Sequence, residues 1–230
     1  MKKISNKNKL NFYIEKYNIG NMFTMDMTPY MDLYLFNKDE HIYKAGNTMD
    51  SFYFFVEGKS KVYILLANGK SLLLMFCNPL RIVGDVEFLY SDIATCNLQA
   101  LTECLCIGIS LENIRKYAAN DPTFLRHMCK SLGEKLTNNS ILSSINLLYP
   151  LENRLASYIL AIIPQGDTSP AEQLFTQKLT EVAELLGTSY RHLLRVVNLL
   201  CDKGIIRKEK NAIKVLNRDE LKSLAGDLYN

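Results

Sequence analysis

Between Thr188 and Arg218 the sequence carries eight bases, Arg191, Arg195, Lys203, Arg207, Lys208, Lys210, Lys214 and Arg218, against two acids, Asp202 and Glu209. The whole 230-residue chain has a net charge of only +3, so this short stretch holds a larger excess than the protein as a whole. Such density suits a polyanion, and it also suits an ordinary solvated face. Spacing adds chemistry to the count. Leu193, Val196, Val197 and Leu200 recur in helical rhythm, which puts Arg191, Arg195, Asn198 and Asp202 on the opposite face. Arginine is the side chain best matched to guanine, through paired hydrogen bonds to O6 and N7. Tyr190, Arg191 and Arg195 therefore stand where a helix entering the major groove reads base edges. Lys208, Lys210 and Lys214 lie on a short hairpin and are expected to meet phosphates, which fix position without reading sequence.

The thiols and imidazoles are a second source of chemistry. Cys77, Cys96, Cys104 and Cys106 make four, the number that ligates an iron–sulfur cluster, and Cys104 and Cys106 share one side of an expected strand. Cluster ligands usually come from loops with closer Cys-x-x-Cys spacing, and free cysteine is often simply buried, so structural thiols and no metal are expected. His41, His127 and His192 are scattered, and His127 and Cys129, two apart on a helix, point to different faces. There is no Gly-x-Ser-x-Gly, phosphate-cradling glycine loop or His-Glu-x-x-His. No catalytic residue and no enzyme activity are expected.

The elements that must hold these residues change character along the chain. After a short amphipathic start (Leu10, Tyr13, Ile14, Tyr17), strands are expected at 32–36, 41–44, 52–56, 61–66, 71–76, 97–101 and 105–109, rich in strand formers and broken by turn residues. Asn68-Gly69 is the strongest hairpin signal among them. Asp121-Pro122 then opens a helix, with Asp121 as N-cap, and the apolar rhythm Leu125, Met128, Leu132, Leu136, Leu142, Ile145, Leu148 continues to Pro150. A helix of roughly 27 residues, about 40 Å, suggests a dimer seam, with packing on its own domain as the alternative. A third apolar helix spans Leu151 to Ile163 and ends at Pro164-Gln165-Gly166. Leu179, Val182, Ala183 and Leu186, then Gly187, then the Leu193 stripe suggest two helices joined at a tight turn. Ile205 to Lys208 and Ala212 to Val215, joined around Glu209-Lys210-Asn211, complete a wing. The expected divisions are a strand-rich domain at 1–120, a dimerisation helix at 121–149 and a DNA-binding domain at 150–230. The basic N-terminus lacks the apolar stretch of a secretory signal, and no apolar run reaches the ~20 residues of a membrane span, so the cytoplasm is expected and a membrane is not.

In this order the parts resemble the Crp/Fnr superfamily. Gly46, Gly58, Gly69 and Gly84-Asp85 are similar to its roll glycines and Gly-Glu turn, and Leu185-Leu186-Gly187-Thr188-Ser189-Tyr190-Arg191-His192-Leu193-Leu194-Arg195 to its DNA-binding pattern. Leu66-Ala67-Asn68-Gly69, Glu103-Cys104-Leu105-Cys106 and Ser189 to Leu194 look most like the YeiL-like branch. The resemblance implies an α+β fold: a cyclic-nucleotide-binding-type β-roll (jelly-roll-like), which makes the domain at 1–120 sensory, a long dimerisation helix and a C-terminal winged helix-turn-helix. It also implies a homodimer, DNA contacts from Ser189, Tyr190, Arg191, His192, Arg195, Lys208, Lys210 and Lys214, and contact with RNA polymerase. Tyr190-Arg191 replaces the common Arg-Glu pair, so the operator should differ from the usual half-site. By the same resemblance the effector pocket would involve Gly84, Asp85 and Thr95. The phosphate-binding arginine is replaced by Ala94, and a buried phosphate needs a paired cation, so cyclic AMP is not expected unless Arg81 supplies the charge. Effector and cofactor stay unassigned. The chain reads as a homodimeric, sequence-specific transcription regulator. The alternative is a small-ligand or redox sensor whose C-terminal domain binds protein, against which the basic stretch argues.

Overall fold

The structure, a computed structural model, describes residues 1–163, 174–210 and 212–226. Its elements in order are β1 (Lys2–Ile4), α1 (Lys7–Lys16), β2 (Asp32–Phe36), β3 (His41–Tyr43), β4 (Ser51–Glu57), β5 (Ser60–Leu65), β6 (Ser71–Cys77), β7 (Arg81–Val83), α2 (Asp85–Leu89), β8 (Asn97–Ala100), β9 (Cys104–Ser110), α3 (Leu111–Tyr117) and α4 (Pro122–Leu148). They continue with α5 (Leu151–Ile162), β10 (Leu174–Phe175), α6 (Leu179–Leu185), α7 (Tyr190–Asp202), β11 (Ile206–Lys208), β12 (Ile213–Val215) and α8 (Arg218–Ala225). All seven expected strands form. Pro164-Gln165-Gly166 and Asn211 lie outside the described residues.

Two compact units result: Met1–Ile64 with Phe76–Asn138, and Leu65–Met75 with Asn139–Asn230. The roll consists of a five-stranded sheet, β1-β2-β9-β4-β7, and a four-stranded sheet, β3-β8-β5-β6. β4 is buried along most of its length, with Phe52 to Val56 all covered. Such a strand reads as a continuous apolar run instead of an alternating one, because both its faces are packed. The Asn68-Gly69 turn closes through Gly69 N–H to the Leu66 carbonyl (2.9 Å), and only Gly69 takes positive φ (+78°). This turn therefore differs from the two-residue form in which both central positions are left-handed.

The start of α4 is fixed as the sequence requires. Asp121 accepts from the Thr123 N–H (2.9 Å), Pro122 needs no donor in the first turn, and Thr24 adds its N–H and hydroxyl to the same carboxylate (2.6 and 2.7 Å). The first half of the helix packs on its own roll. Phe124 stacks on Phe23 (centroids 5.1 Å apart) and touches Phe52 and Phe88, while Met128 is fully buried in the same core. Leu132 is half-buried and Leu136 is 70% exposed, so the apolar positions of α4 serve two different surfaces.

In the C-terminal unit α5 buries Leu155, Ala156, Tyr158 and Ile159 and packs against α7 and α8. Tyr158 meets Phe175 edge-on and donates its hydroxyl to Gln177 (2.6 Å). A three-stranded sheet, β10-β12-β11, completes a winged helix-turn-helix. Among the described residues no helix is long and apolar enough to cross a membrane.

Candidate nucleic-acid interface and effector pocket

The turn between α6 and α7 is set by Gly187, whose φ of +63° would strain any side chain. Gly187 N–H bonds the Glu184 carbonyl and Thr188 N–H the Ala183 carbonyl, both at 2.9 Å, which satisfies the last turn of α6. Ser189 then caps α7, accepting from His192 N–H (3.2 Å), while the Thr188 hydroxyl meets the His192 ring at 3.3 Å. Arg154 on α5 donates to the Leu186 carbonyl (2.7 Å) and holds the turn from beneath. Ser189 and His192 are thus engaged in shaping the turn that presents α7.

On α7 Leu193, Val196, Val197 and Leu200 are buried, and Tyr190, Arg191, His192, Arg195 and Asn198 are exposed. In the wing, Arg207 pairs with Lys214, and Lys208 with Ile213. Residues directly opposite in an antiparallel pair share a face, so Arg207 and Lys214 project together and Lys208 rises on the other side. Arg207, which was not among the expected contact residues, shares the face of Lys214, and the strand register shows it. Tyr190, Lys208 and Lys210 line one groove of about 470 Å³ with Thr176, Lys178 and Thr180. Two of the eight bases are diverted. Lys203 faces Glu152 at 3.6 Å, and Arg218 is half-buried with its Nη1 shut off from solvent.

The pocket expected around Gly84, Asp85 and Thr95 is organised from within. Gly84 takes φ +98° and starts α2 directly at Asp85, whose side chain is 1% exposed. Lys135 of α4 forms an ion pair with it, Ser131 donates its hydroxyl to the other carboxylate oxygen (2.8 Å), and Val86 N–H adds a third bond (3.0 Å). Lys135 also donates to the Ile82 carbonyl (3.0 Å). Ala94 is buried, and Thr95 turns its backbone N–H to the carboxylate of Glu87, a residue that sequence reasoning passed over. Burial pushes the Glu87 carboxyl above its ordinary value, against the pull of these backbone bonds. Ser131 and Lys135 were also missed. Their signal was the polar break in the face of α4 that carries Phe124 and Met128, at intervals of four, three and four.

Burial raises all four thiols of the roll: Cys106 well above the usual range, Cys96 to about 11, and Cys77 and Cys104 in the same direction. Cys104 donates weakly to the carbonyls of Lys59 (3.2 Å) and Thr102 (3.3 Å). Burial therefore favours the protonated thiol over the thiolate at each of these positions. Among the described residues no three His, Cys, Asp or Glu side chains converge as metal ligands would.

Comparison with known proteins agrees with this architecture. The family described as "Cyclic nucleotide-binding domain" matches residues 35–121, and that described as "Crp-like helix-turn-helix domain" matches 153–224. The regulatory protein YeiL of Escherichia coli O157:H7 is 32% identical over 88% of this chain and 90% of its own length. The cyclic AMP receptor protein of Thermus thermophilus is 20% identical over 85% of this chain and 89% of its own. A solved structure of a crp/fnr-family regulator from Eubacterium rectale superposes with a TM-score of 0.74 at 15% identity, covering 87% of this chain and 92% of that one. Members of this group regulate transcription and are not enzymes. With its nucleotide-binding-type roll, its long helix and its exposed, arginine-bearing recognition helix, the chain belongs to the Crp/Fnr superfamily of DNA-binding transcription regulators.

Proposed function

We propose that the chain acts in the cytoplasm as a homodimer that reads its operator with Tyr190, Arg191 and Arg195, anchors on phosphates with Arg207, Lys208, Lys210 and Lys214, and contacts RNA polymerase. The observation that carries this reading is the division of α7 into a fully buried apolar face and an exposed face holding both arginines. Ser189 and His192 contribute by fixing the helix N-terminus. The dimer reading draws on α4, where Cys129, Gly133, Leu136, Ser140, Ser143 and Leu147 are exposed at alternating intervals of four and three. That is the spacing of a two-helix seam, and the small residues allow close approach.

The roll, in this reading, does not take cyclic AMP. Support comes from Ala94 in place of a cation, from Glu87 accepting the Thr95 N–H, and from Asp85 being bound to Lys135. A cyclic phosphate would have to displace one carboxylate while lying beside a second. Genome-wide mapping of bound DNA tests the regulator reading: discrete sites sharing one half-site motif support it, and occupancy without sequence preference refutes it. Calorimetry with cyclic AMP tests the second part, where micromolar binding would overturn it.

A further inference from the structure

From the walls of a second cleft we infer that the roll binds a small dianion, of phosphate or short dicarboxylate size, between β7 and the first half of α4. This rests on reading the roll as the sensory part and names the chemistry of what it would sense. The cleft measures about 190 Å³ and is lined by Leu80, Arg81, His127, Lys130, Ser131 and Glu134, among others. His127, Lys130 and Glu134 fall at i, i+3 and i+7, so α4 presents them on one face. Arg81 stands opposite on β7. Both walls belong to the same compact unit.

Arg81 is the residue that calls for a ligand. Its Nη2 is shut off from solvent and has no hydrogen-bond partner among the described residues. A guanidinium keeps its charge at any physiological pH, and a buried charged donor left unmatched is costly. Asp85, four residues on in sequence, is already engaged by Lys135 and Ser131. Around the cleft two fixed cations, Arg81 and Lys130, face one acid, Glu134, and the His127 ring adds a donor. An oxyanion with two acceptor edges fits this set, since the arginine fork binds carboxylate and phosphate in pairs. Size excludes larger ligands: sites for drug-sized molecules start at roughly 300 Å³. Occupancy would fasten α4 to β7.

The test is isothermal titration calorimetry and thermal denaturation of the full chain with inorganic phosphate and with succinate, at constant ionic strength set by chloride. One saturable site per chain is expected for at least one of the two, with a midpoint that climbs with ligand concentration. Preference for phosphate or succinate distinguishes a tetrahedral from a dicarboxylate ligand. Arg81→Gln should weaken binding about tenfold or more, and so should Lys130→Gln, an exposed change that leaves folding intact. Glu134→Gln should tighten it. Lys38→Gln, on the exposed turn between β2 and β3, should change nothing. The inference is overturned if neither dianion exceeds chloride, or if binding is kept at wild-type strength in both Arg81→Gln and Lys130→Gln. DNA binding measured on the same preparations separates the outcomes: failure of wild-type protein to bind DNA would sink the regulator reading and leave the anion result standing.

Discussion

Replacing Lys135 with Met removes the cation from a carboxylate that has no access to water, and its effect follows from the environment of Asp85. The Asp85 side chain is 1% exposed and that of Lys135 is 21% exposed. Removing one partner of a buried pair costs about 3–5 kcal/mol, because the remaining charge is left uncompensated. The exposed fifth of Lys135 and the bonds Asp85 keeps from Ser131 and Val86 place this pair at the lower end, about 3 kcal/mol. The Ile82 carbonyl loses its donor as well. For a chain of this size each kcal/mol moves the thermal midpoint by about 2–4 °C, so the roll should melt roughly 6–12 °C lower. Circular dichroism during heating, repeated in urea, measures this. The double variant Asp85→Asn with Lys135→Met carries no buried charge and should recover at least half the loss. A single variant within about 2 °C of wild type, or a double variant no more stable than the single, would refute the reasoning.

Further expectations follow from the other surfaces. Arg195→Ala should cost about 1–3 kcal/mol on the specific operator and relax its sequence preference, whereas Lys210→Ala should weaken all DNA alike and flatten the salt dependence by about one unit, as binding isotherms over a salt series would show. Leu136→Asp puts a charge on the most exposed apolar residue near the middle of α4 and should yield monomers by light scattering; Leu132 is half-buried, so a charge there would confound folding with assembly. Glu87 has a carboxyl raised by burial above its ordinary 4.5, so it binds its proton more tightly folded than unfolded. Its contribution is fully present below that value and is lost as pH rises through the folded-state value. Glu87→Gln should therefore match wild type in melting temperature near pH 4 and exceed it increasingly toward pH 8. A difference independent of pH would show that ionisation of Glu87 is not the cause.

The parts of the fold legible in the sequence were those whose signal is carried by many residues. Seven strands, the 27-residue α4 and its Asp121-Pro122 start all formed where residue type and period placed them. β1, β7 and β10 escaped because two or three residues contain too little alternation to read. Their partners create them: β7 exists where Tyr53 and Phe55 of β4 offer free ladder groups to Val83 and Arg81, and β1 where Leu33 and Leu35 of β2 do so for Ile4 and Lys2. α3 left a readable trace in Ser110, which caps it by accepting from Asn113 N–H (3.2 Å), but β9 runs into it without a turn. The dual use of α4 was also hidden. One apolar rhythm serves the roll at Phe124 and Met128 and an open face at Leu136, and a period alone cannot say which surface each residue meets.

The two candidate sites differ in the same way. On α7 the exposed and buried faces follow from helical geometry within thirteen residues, so the sequence placed Arg191 and Arg195 correctly on the open side. Within the wing the pairing of Arg207 with Lys214 depends on register, which a one-residue slip would invert. In the roll the decisive partner is farther still. Asp85 occupies the turn that resembles a nucleotide-binding position, yet it meets Lys135 fifty residues later, on another element. A carboxylate open to solvent can trade water for a ribose hydroxyl. One already satisfied by an ammonium, a hydroxyl and a backbone N–H can bind a ligand only by giving up bonds at least as strong. The chemistry available at this turn is therefore set by α4, and a sensor rebuilt around it would respond to whatever alters the hold of α4 on β7 and α2.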